Sequence, residues 1–275
     1  MIDFKVNQQK CIKCGKCVLD CLMSIITMDK SYPSIESRNE SSCIKCQHCM
    51  AICPTGALSI LGKNPEDSLS LAGNLPDPEK LEVLLKGRRS VRHFNDENLE
   101  PELMHRLLEV AGHAPTGVNA RQVHFTVVSD RAVMVELRKE MYETLVQLKQ
   151  KGVLKGGDHF KKYLQRWEDT GNDTILRGAP HLIVASAPQD CPCPEADCLI
   201  ALSYFEIFAQ SLGVGAVWNG LFTLTLKEIL PEFRAKLGIP EHHLIGYVIA
   251  FGKPAVTYSR TVQHPASSVS HVNWH

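Results

Sequence analysis

Eight cysteines fall within the first 53 residues of this 275-residue chain, in two runs of identical spacing. The first is Cys11, Cys14, Cys17 and Cys21; the second is Cys43, Cys46, Cys49 and Cys53, followed by Pro54. Each reads C-x2-C-x2-C-x3-C. Two intervening residues let a tight loop wrap one corner of a cube, so three thiolates can reach three irons, while the start of a helix carries the fourth cysteine away. Zinc is the competing thiolate metal, but it takes four ligands, usually as two separated C-x2-C pairs. Two complete quartets on a two-residue stride fit it poorly. The chain has eleven cysteines in all, and they crowd one end as metal ligands do, whereas a disulfide scaffold would staple a whole small domain.

Over about residues 3–62 the pattern resembles the two-cluster bacterial ferredoxins. That resemblance implies two 4Fe–4S clusters with crossed fourth ligands: Cys11, Cys14, Cys17 and Cys53 on one, Cys43, Cys46, Cys49 and Cys21 on the other. It also implies a pseudo-twofold head with the clusters close together. The first run departs from the pattern in having Leu22, not Pro, after Cys21. Lys10, Lys13, Lys16 and Lys45 sit in or beside the loops. They offset the negative charge of thiolate-ligated clusters, or form a docking face for an acidic electron donor such as ferredoxin or flavodoxin.

Four further pieces could do chemistry. Arg88-Arg89-Ser90-Val91-Arg92 packs three guanidiniums and a hydroxyl into five residues, a potential phosphate claw, because arginine offers a planar fork matched to phosphate oxygens. Ala114-Pro115-Thr116-Gly117-Val118-Asn119 is a polar turn. Gly213-Val214-Gly215-Ala216-Val217-Trp218-Asn219-Gly220 is a strand ending where backbone can approach a flat ligand, and Gly252-Lys253-Pro254 with Arg260 adds positive charge after the last strand. Each has a plainer reading: Trp218 as core, Asn119 as a turn residue tolerant of left-handed backbone, the arginines as surface charge.

In this order and spacing the four pieces resemble the nitroreductase family of FMN enzymes, across roughly residues 80–275. The resemblance implies an α+β fold with a mostly antiparallel sheet flanked by helices, and a homodimer with FMN at the subunit interface. By matching positions it implies that Arg88, Arg89, Ser90 and Arg92 hold the phosphate and ribityl chain, with Lys253 and Arg260 closing from the tail. Asn119 would meet the pyrimidine side, backbone groups near Asn219 and Gly220 would face the N5 and O4 edge with Trp218 among the cofactor-binding residues, and Pro115 and Thr116 would cover the ring from the partner subunit. The family often has Pro-Trp after the glutamine; here Val123-His124 follow Gln122.

The elements that must position these residues can be read in outline. Residues 62–78 carry the Gly/Pro/Asn/Ser composition of a connector, which sets domains at 1–62 and 79–275 with a linker at 63–78. A helix is expected from Pro78, capped by Asp77, to about Lys86. Residues 101–113 have helical periodicity, 195–212 form a long apolar helix, and 123–129, 181–187 and 246–252 are short β-rich runs. No G-x-G-x-x-G joins a strand to a helix, which argues against a Rossmann nucleotide site. Residues 153–170 carry an aromatic stripe of Phe160, Tyr163 and Trp167 that reads equally as core or as a substrate lid. Cys191 and Cys193 are expected in a proline-stiffened loop and Cys198 as a buried thiol. His242, His243, His264, His271 and His275 are expected at the surface.

Lys plus Arg balance Asp plus Glu at 30 each, so no long-range field favours nucleic acid or anionic lipid. No apolar run approaches the ~18 residues of a membrane span. The opening residues Met1-Ile-Asp-Phe-Lys-Val-Asn lack the apolar stretch of a signal peptide, and the chain is expected to be cytoplasmic. Clusters move single electrons, whereas reducing a nitro group or a C=C or C–halogen bond takes pairs; a flavin handles both. The expected function is an oxidoreductase passing electrons from two 4Fe–4S clusters through FMN to a small organic acceptor. The alternatives are an NAD(P)H-driven reductase with the clusters as reservoir, and a non-enzymatic electron carrier or redox sensor.

Overall fold

A computed structural model describes residues 2–29 and 31–274, with backbone alone at residue 159. His275 therefore lies outside the described residues. The chain divides into two compact units: the residues up to 76 together with 117–120, and residues 77–116 together with those from 121 onward.

In the first unit, β1 (Phe4–Val6) pairs antiparallel with β4 (Leu58–Ile60), Phe4 opposite Ile60, while β2 (Ile26–Thr27) pairs with β3 (Ser34–Ile35). Two one-turn helices, α1 (Lys16–Leu19) and α2 (His48–Ala51), each start inside a cysteine run. The sequence repeat is a backbone repeat. Lys13 (φ 55°) and Lys45 (φ 57°) occupy equivalent left-handed positions, as do Gly15 (φ 73°) and Gln47 (φ 61°) before the two helices. The two loops thus take the same left-handed turns, two residues apart, ahead of each helix. Ile25, Ile26, Met50, Leu58 and Ile60 form a small core between the loops.

The second unit is built on a four-stranded, wholly antiparallel sheet in the order β5 (His124–Val128), β6 (His181–Pro188), β8 (His243–Gly252), β7 (Gly215–Trp218). Both faces are covered. Leu182, Val184, Val217, Val248 and Ala250 face α5 (Arg131–Gln150), α6 (Gly157–Thr170) and α8 (Gly220–Leu224). Ile183, Ala185, Ala187, Ala216, Ile249 and Phe251 face α4 (Pro101–Gly112) and α7 (Pro194–Ser211). That double burial is why β6 reads as a continuous apolar run instead of an alternation. The remaining helices are α3 (Pro78–Gly87), whose Asp77 cap accepts from Lys80 N at 3.0 Å, and the short α9 (Phe233–Lys236). The arginine-bearing segment runs along the sheet edge: Ser90 bridges Ala216 in parallel sense and Val91 N donates to Ala216 O at 2.9 Å.

One expectation needs correction. His243 is buried, not at the surface, because β8 begins there and its Nδ1 lies 3.1 Å from the buried Ser186 hydroxyl. Cys191 and Cys193 lie in the loop before α7, as expected, Cys191 buried with its Sγ 3.9 Å from the Asp197 carboxylate and Cys193 exposed. The aromatic stripe is divided. Phe160 is buried in the core and Trp167 stacks on Tyr142 with centroids 4.0 Å apart and planes 8° apart, while Tyr163 is half-buried.

Candidate functional site

The cysteine quartets line two separate cavities of the first unit. One is walled by Cys11, Cys14, Cys17 and Cys53 with Pro33 and Leu58; the other by Cys21, Cys43, Cys46 and Cys49 with Ile25, Ile26 and Ile35. The fourth cysteine of each run thus faces the three of the other. The electrostatics follow the same partition. Burial raises the Cys17 thiol, and the nearby Cys53 and Cys11 add to it. Burial pushes Cys49 up to about 12, with Cys46, Cys43 and Cys21 as its thiol neighbours. Burial thus favours the protonated Cys17 and Cys49, and a metal bound there would take them as thiolates and release the protons.

Backbone amides already point at sulfur. Ala57 N donates to Cys53 Sγ at 3.2 Å and Lys45 N to Cys43 Sγ at 3.4 Å. Burial raises the Cys53 thiol, but the Ala57 and Thr55 amides outweigh it and leave the thiol below its ordinary value. Among the described residues no three of His, Cys, Asp or Glu converge on one ion. Each quartet of thiols surrounds a cavity, an arrangement that suits a cluster with a ligand at each corner.

In the second unit the arginines do not close into a single claw. Arg88 Nη1 donates to Glu206 Oε1 at 2.9 Å, and Glu206 Oε2 accepts from Trp218 Nε1 at 2.8 Å. Glu206 is buried on the otherwise apolar α7, so one carboxylate fixes both an arginine and a tryptophan. Sequence reading missed it, although a glutamate inside an apolar helical run was the available signal. Arg89 donates to Lys86 O, and its Nε is buried without a partner. Arg92 lines one cavity and Arg260 another, the latter walled by Val83, Gly87, Val91, Gln210 and Gly213. Lys253 pairs with Glu97 at 3.1 Å.

Trp218 lies at the end of β7 with its ring 5.3 Å from that of Tyr247. Asn219 is a helix cap: it accepts from Phe222 N at 2.9 Å and donates to Ile175 O at 2.8 Å, and its own N–H is given to Val248 O. Gly220 follows where an added Cβ would lie 2.8 Å from the Tyr247 hydroxyl, so no larger residue fits without a shift. Pro115 is exposed, and Thr116 Oγ1 accepts from Arg121 N at 2.9 Å. Asn119 (φ 57°) belongs to the first unit, where its Nδ2 donates to Ile44 O at 2.8 Å, in the loop between Cys43 and Cys46.

The donor set still suits a phosphorylated flavin. Arg88 has five N–H donors and gives one bond here, Arg89 Nε lacks a partner, and Ser90 and Arg92 occupy alternate positions, hence one side, of an extended segment.

Residues 85–253 match the model of the nitroreductase family, and residues 10–57 match that of the 4Fe–4S dicluster domain. The chain belongs to the nitroreductase family and carries an N-terminal 4Fe–4S dicluster domain, which implies two clusters. Among curated proteins it is 29% identical to one from Methanothermobacter thermautotrophicus, provisionally named NADH dehydrogenase/NAD(P)H nitroreductase, over 64% of this chain and 79% of that one. Among solved structures, a nitroreductase with bound FMN from Bacteroides fragilis superposes with TM-score 0.56 at 24% identity, over 70% of this chain and 99% of that one. An iodotyrosine deiodinase bound to FMN and 3-iodo-L-tyrosine gives TM-score 0.52 at 20% identity, over 70% and 99%. These likenesses agree with the antiparallel, helix-flanked fold described above.

Proposed function

We propose that the chain is an FMN- and iron–sulfur-dependent oxidoreductase in which electrons enter at two 4Fe–4S clusters, pass to FMN and leave to a small organic acceptor with a nitro, enone-like or similar group. The observation that carries this reading is the presence, in one chain, of two cysteine-quartet cavities and a nitroreductase fold. A bound flavin supplies the conversion between single electrons and hydride equivalents. Tethering donor to acceptor raises their effective concentration above that of freely diffusing partners.

The residues take their parts around that chemistry. Arg88, Arg89, Ser90 and Arg92 are assigned to the phosphate and ribityl end, with Lys253 and Arg260; Glu206 orients Arg88 and Trp218. The backbone of 219–220 is assigned to the ring edge, Asn119 to the pyrimidine side, and Pro115 and Thr116 to a second copy's flavin. A homodimer is supported by Leu199, Ile200 and Tyr204, exposed on α7, and by Leu81, Val83 and Leu85, exposed on α3. The domains are assigned as 1–62 and 79–275 around a 63–78 linker, and the protein as cytoplasmic; no helix among the described residues is long and apolar enough to cross a membrane.

The name of the Methanothermobacter relative favours NAD(P)H as a second donor reading. An anaerobic titration of the purified chain decides. Bleaching of the flavin by reduced ferredoxin but not by NADH or NADPH supports the proposal. Rapid bleaching by a nicotinamide supports the second reading. Failure of every small acceptor to reoxidise the flavin would leave an electron carrier or sensor and end both.

A further inference from the structure

Charge is unevenly distributed around one open cavity of the second unit. Its volume of about 590 Å³ falls within the ~300–1,000 Å³ usual for small-molecule sites. Arg92, Arg138, Arg166 and Arg177 line it together with Trp167, and Asp173 is the one carboxylate among the residues of its wall. Asp173 is fully engaged. It accepts from Arg138 Nε at 2.7 Å, Tyr142 OH at 2.9 Å, Leu176 N at 2.8 Å and Gly178 N at 2.9 Å. It therefore neutralises Arg138 and no other arginine there. Among the described residues Arg92, Arg166 and Arg177 have no ion-pair partner.

Three guanidiniums without a carboxylate of their own leave the cavity wall positively charged, with Arg92 and Arg166 exposed to solvent that screens part of their mutual repulsion. A bound anion relieves it. Arginine's fork suits a carboxylate bidentately, and Trp167, backed by Tyr142, offers an aromatic surface beside it. Arg177 is held at φ 62°, followed by Gly178 at φ 65°, a left-handed backbone that L side chains rarely adopt. Arg92 belongs both to this wall and to the segment assigned to the flavin, so a ligand here would sit beside the flavin.

We propose that this cavity binds the electron acceptor through an anionic group: the substrate is a small planar carboxylate, held by Arg166 and Arg177 and laid against Trp167. This rests on the reading of the second unit as a flavin reductase. The phosphate of the flavin offers the same chemistry to arginine, so the test must tell the two apart.

The oxidised, full-length, FMN-loaded protein is titrated with 4-nitrobenzoate and with the neutral 4-nitrobenzyl alcohol, without any electron donor, and binding is followed by calorimetry. The carboxylate should bind about tenfold or more tightly than the alcohol, about 1.4 kcal/mol. Arg166→Gln and Arg177→Gln should each cost about that factor for the carboxylate, leave the alcohol unchanged and retain full FMN, and Arg166→Lys should recover part of the loss. Arg166 is exposed on α6, so its replacement leaves the core intact. Equal affinity for the two probes in the unaltered protein overturns the proposal. So does equal weakening of both probes, or loss of FMN from the variants, which would assign these arginines to the flavin's phosphate. A preparation that never retains flavin sinks the underlying function, whereas equal affinity for the two probes in flavin-loaded protein sinks this proposal alone.

Discussion

Glu206 shows how far a single carboxylate can organise a site. It bonds Arg88 and Trp218 with both oxygens and is shielded from water. Replacing it with alanine leaves two half-buried donors, one of them charged, without their acceptor, at about 2–3 kcal/mol. For a domain of this size that is a fall in melting midpoint of about 4–10 °C, with weaker FMN retention, measurable by calorimetry and by flavin released on dialysis. Cysteine replacements test the crossing of ligands. Cys21→Ala should damage the cluster held by Cys43, Cys46 and Cys49, and Cys53→Ala the one held by Cys11, Cys14 and Cys17. Each should lose about half the iron, and their electron paramagnetic resonance spectra should differ. His181 supplies a pH dependence. Its Nε2 accepts from Leu99 N at 2.9 Å, and burial first of all holds its pKa below the ordinary 6.5. The fold prefers the neutral ring, so this contribution is complete above about pH 6.5 and declines as pH falls through it toward the lower folded value. Melting midpoints measured from pH 7.5 to 5.5 should drop, and His181→Gln should flatten part of the slope.

Elements were legible in sequence wherever a local signal sufficed. Asp77 and Pro78 announce α3, the β-rich run at 181–187 announces β6, and the two-residue cysteine stride announces the loops. Three-dimensional partners were not legible. Arg88 and Arg89 are adjacent in sequence but turn to Glu206 and to Lys86 O, as an extended segment throws adjacent side chains to opposite sides, while Arg92, four residues along from Arg88, reaches a separate cavity. His243 looked like surface beside His242 because nothing local reveals that a strand starts there. Close packing between elements was equally hidden. A Cβ on Gly252 would lie 2.5 Å from Pro180 Cγ and 2.7 Å from its Cδ. Gly252→Ala should therefore cost about 1–3 kcal/mol. Pro180→Ala removes the two clashing atoms, and the double variant should recover a measurable part of the loss in a thermal-midpoint cycle.

At the scale of the whole molecule the charge is balanced, yet Lys13, Lys16 and Lys45 gather on the cysteine loops while Lys10 is paired with Glu66. If an acidic protein delivers the electrons, its second-order rate of reducing the chain should fall several-fold between low and high salt, as screening shortens to a few ångströms. A rate indifferent to ionic strength in stopped flow would remove that docking role. The same experiment on Lys13→Gln, Lys16→Gln and Lys45→Gln combined should show a flatter salt dependence.

The pairing of Phe4 with Ile60 has an evolutionary reading. A strand at one end of the head closes against a strand at the other, so the polypeptide comes into this module and goes out of it along the same border. A unit with its doorway and its exit side by side can be carried within a longer polypeptide without its own strands having to part.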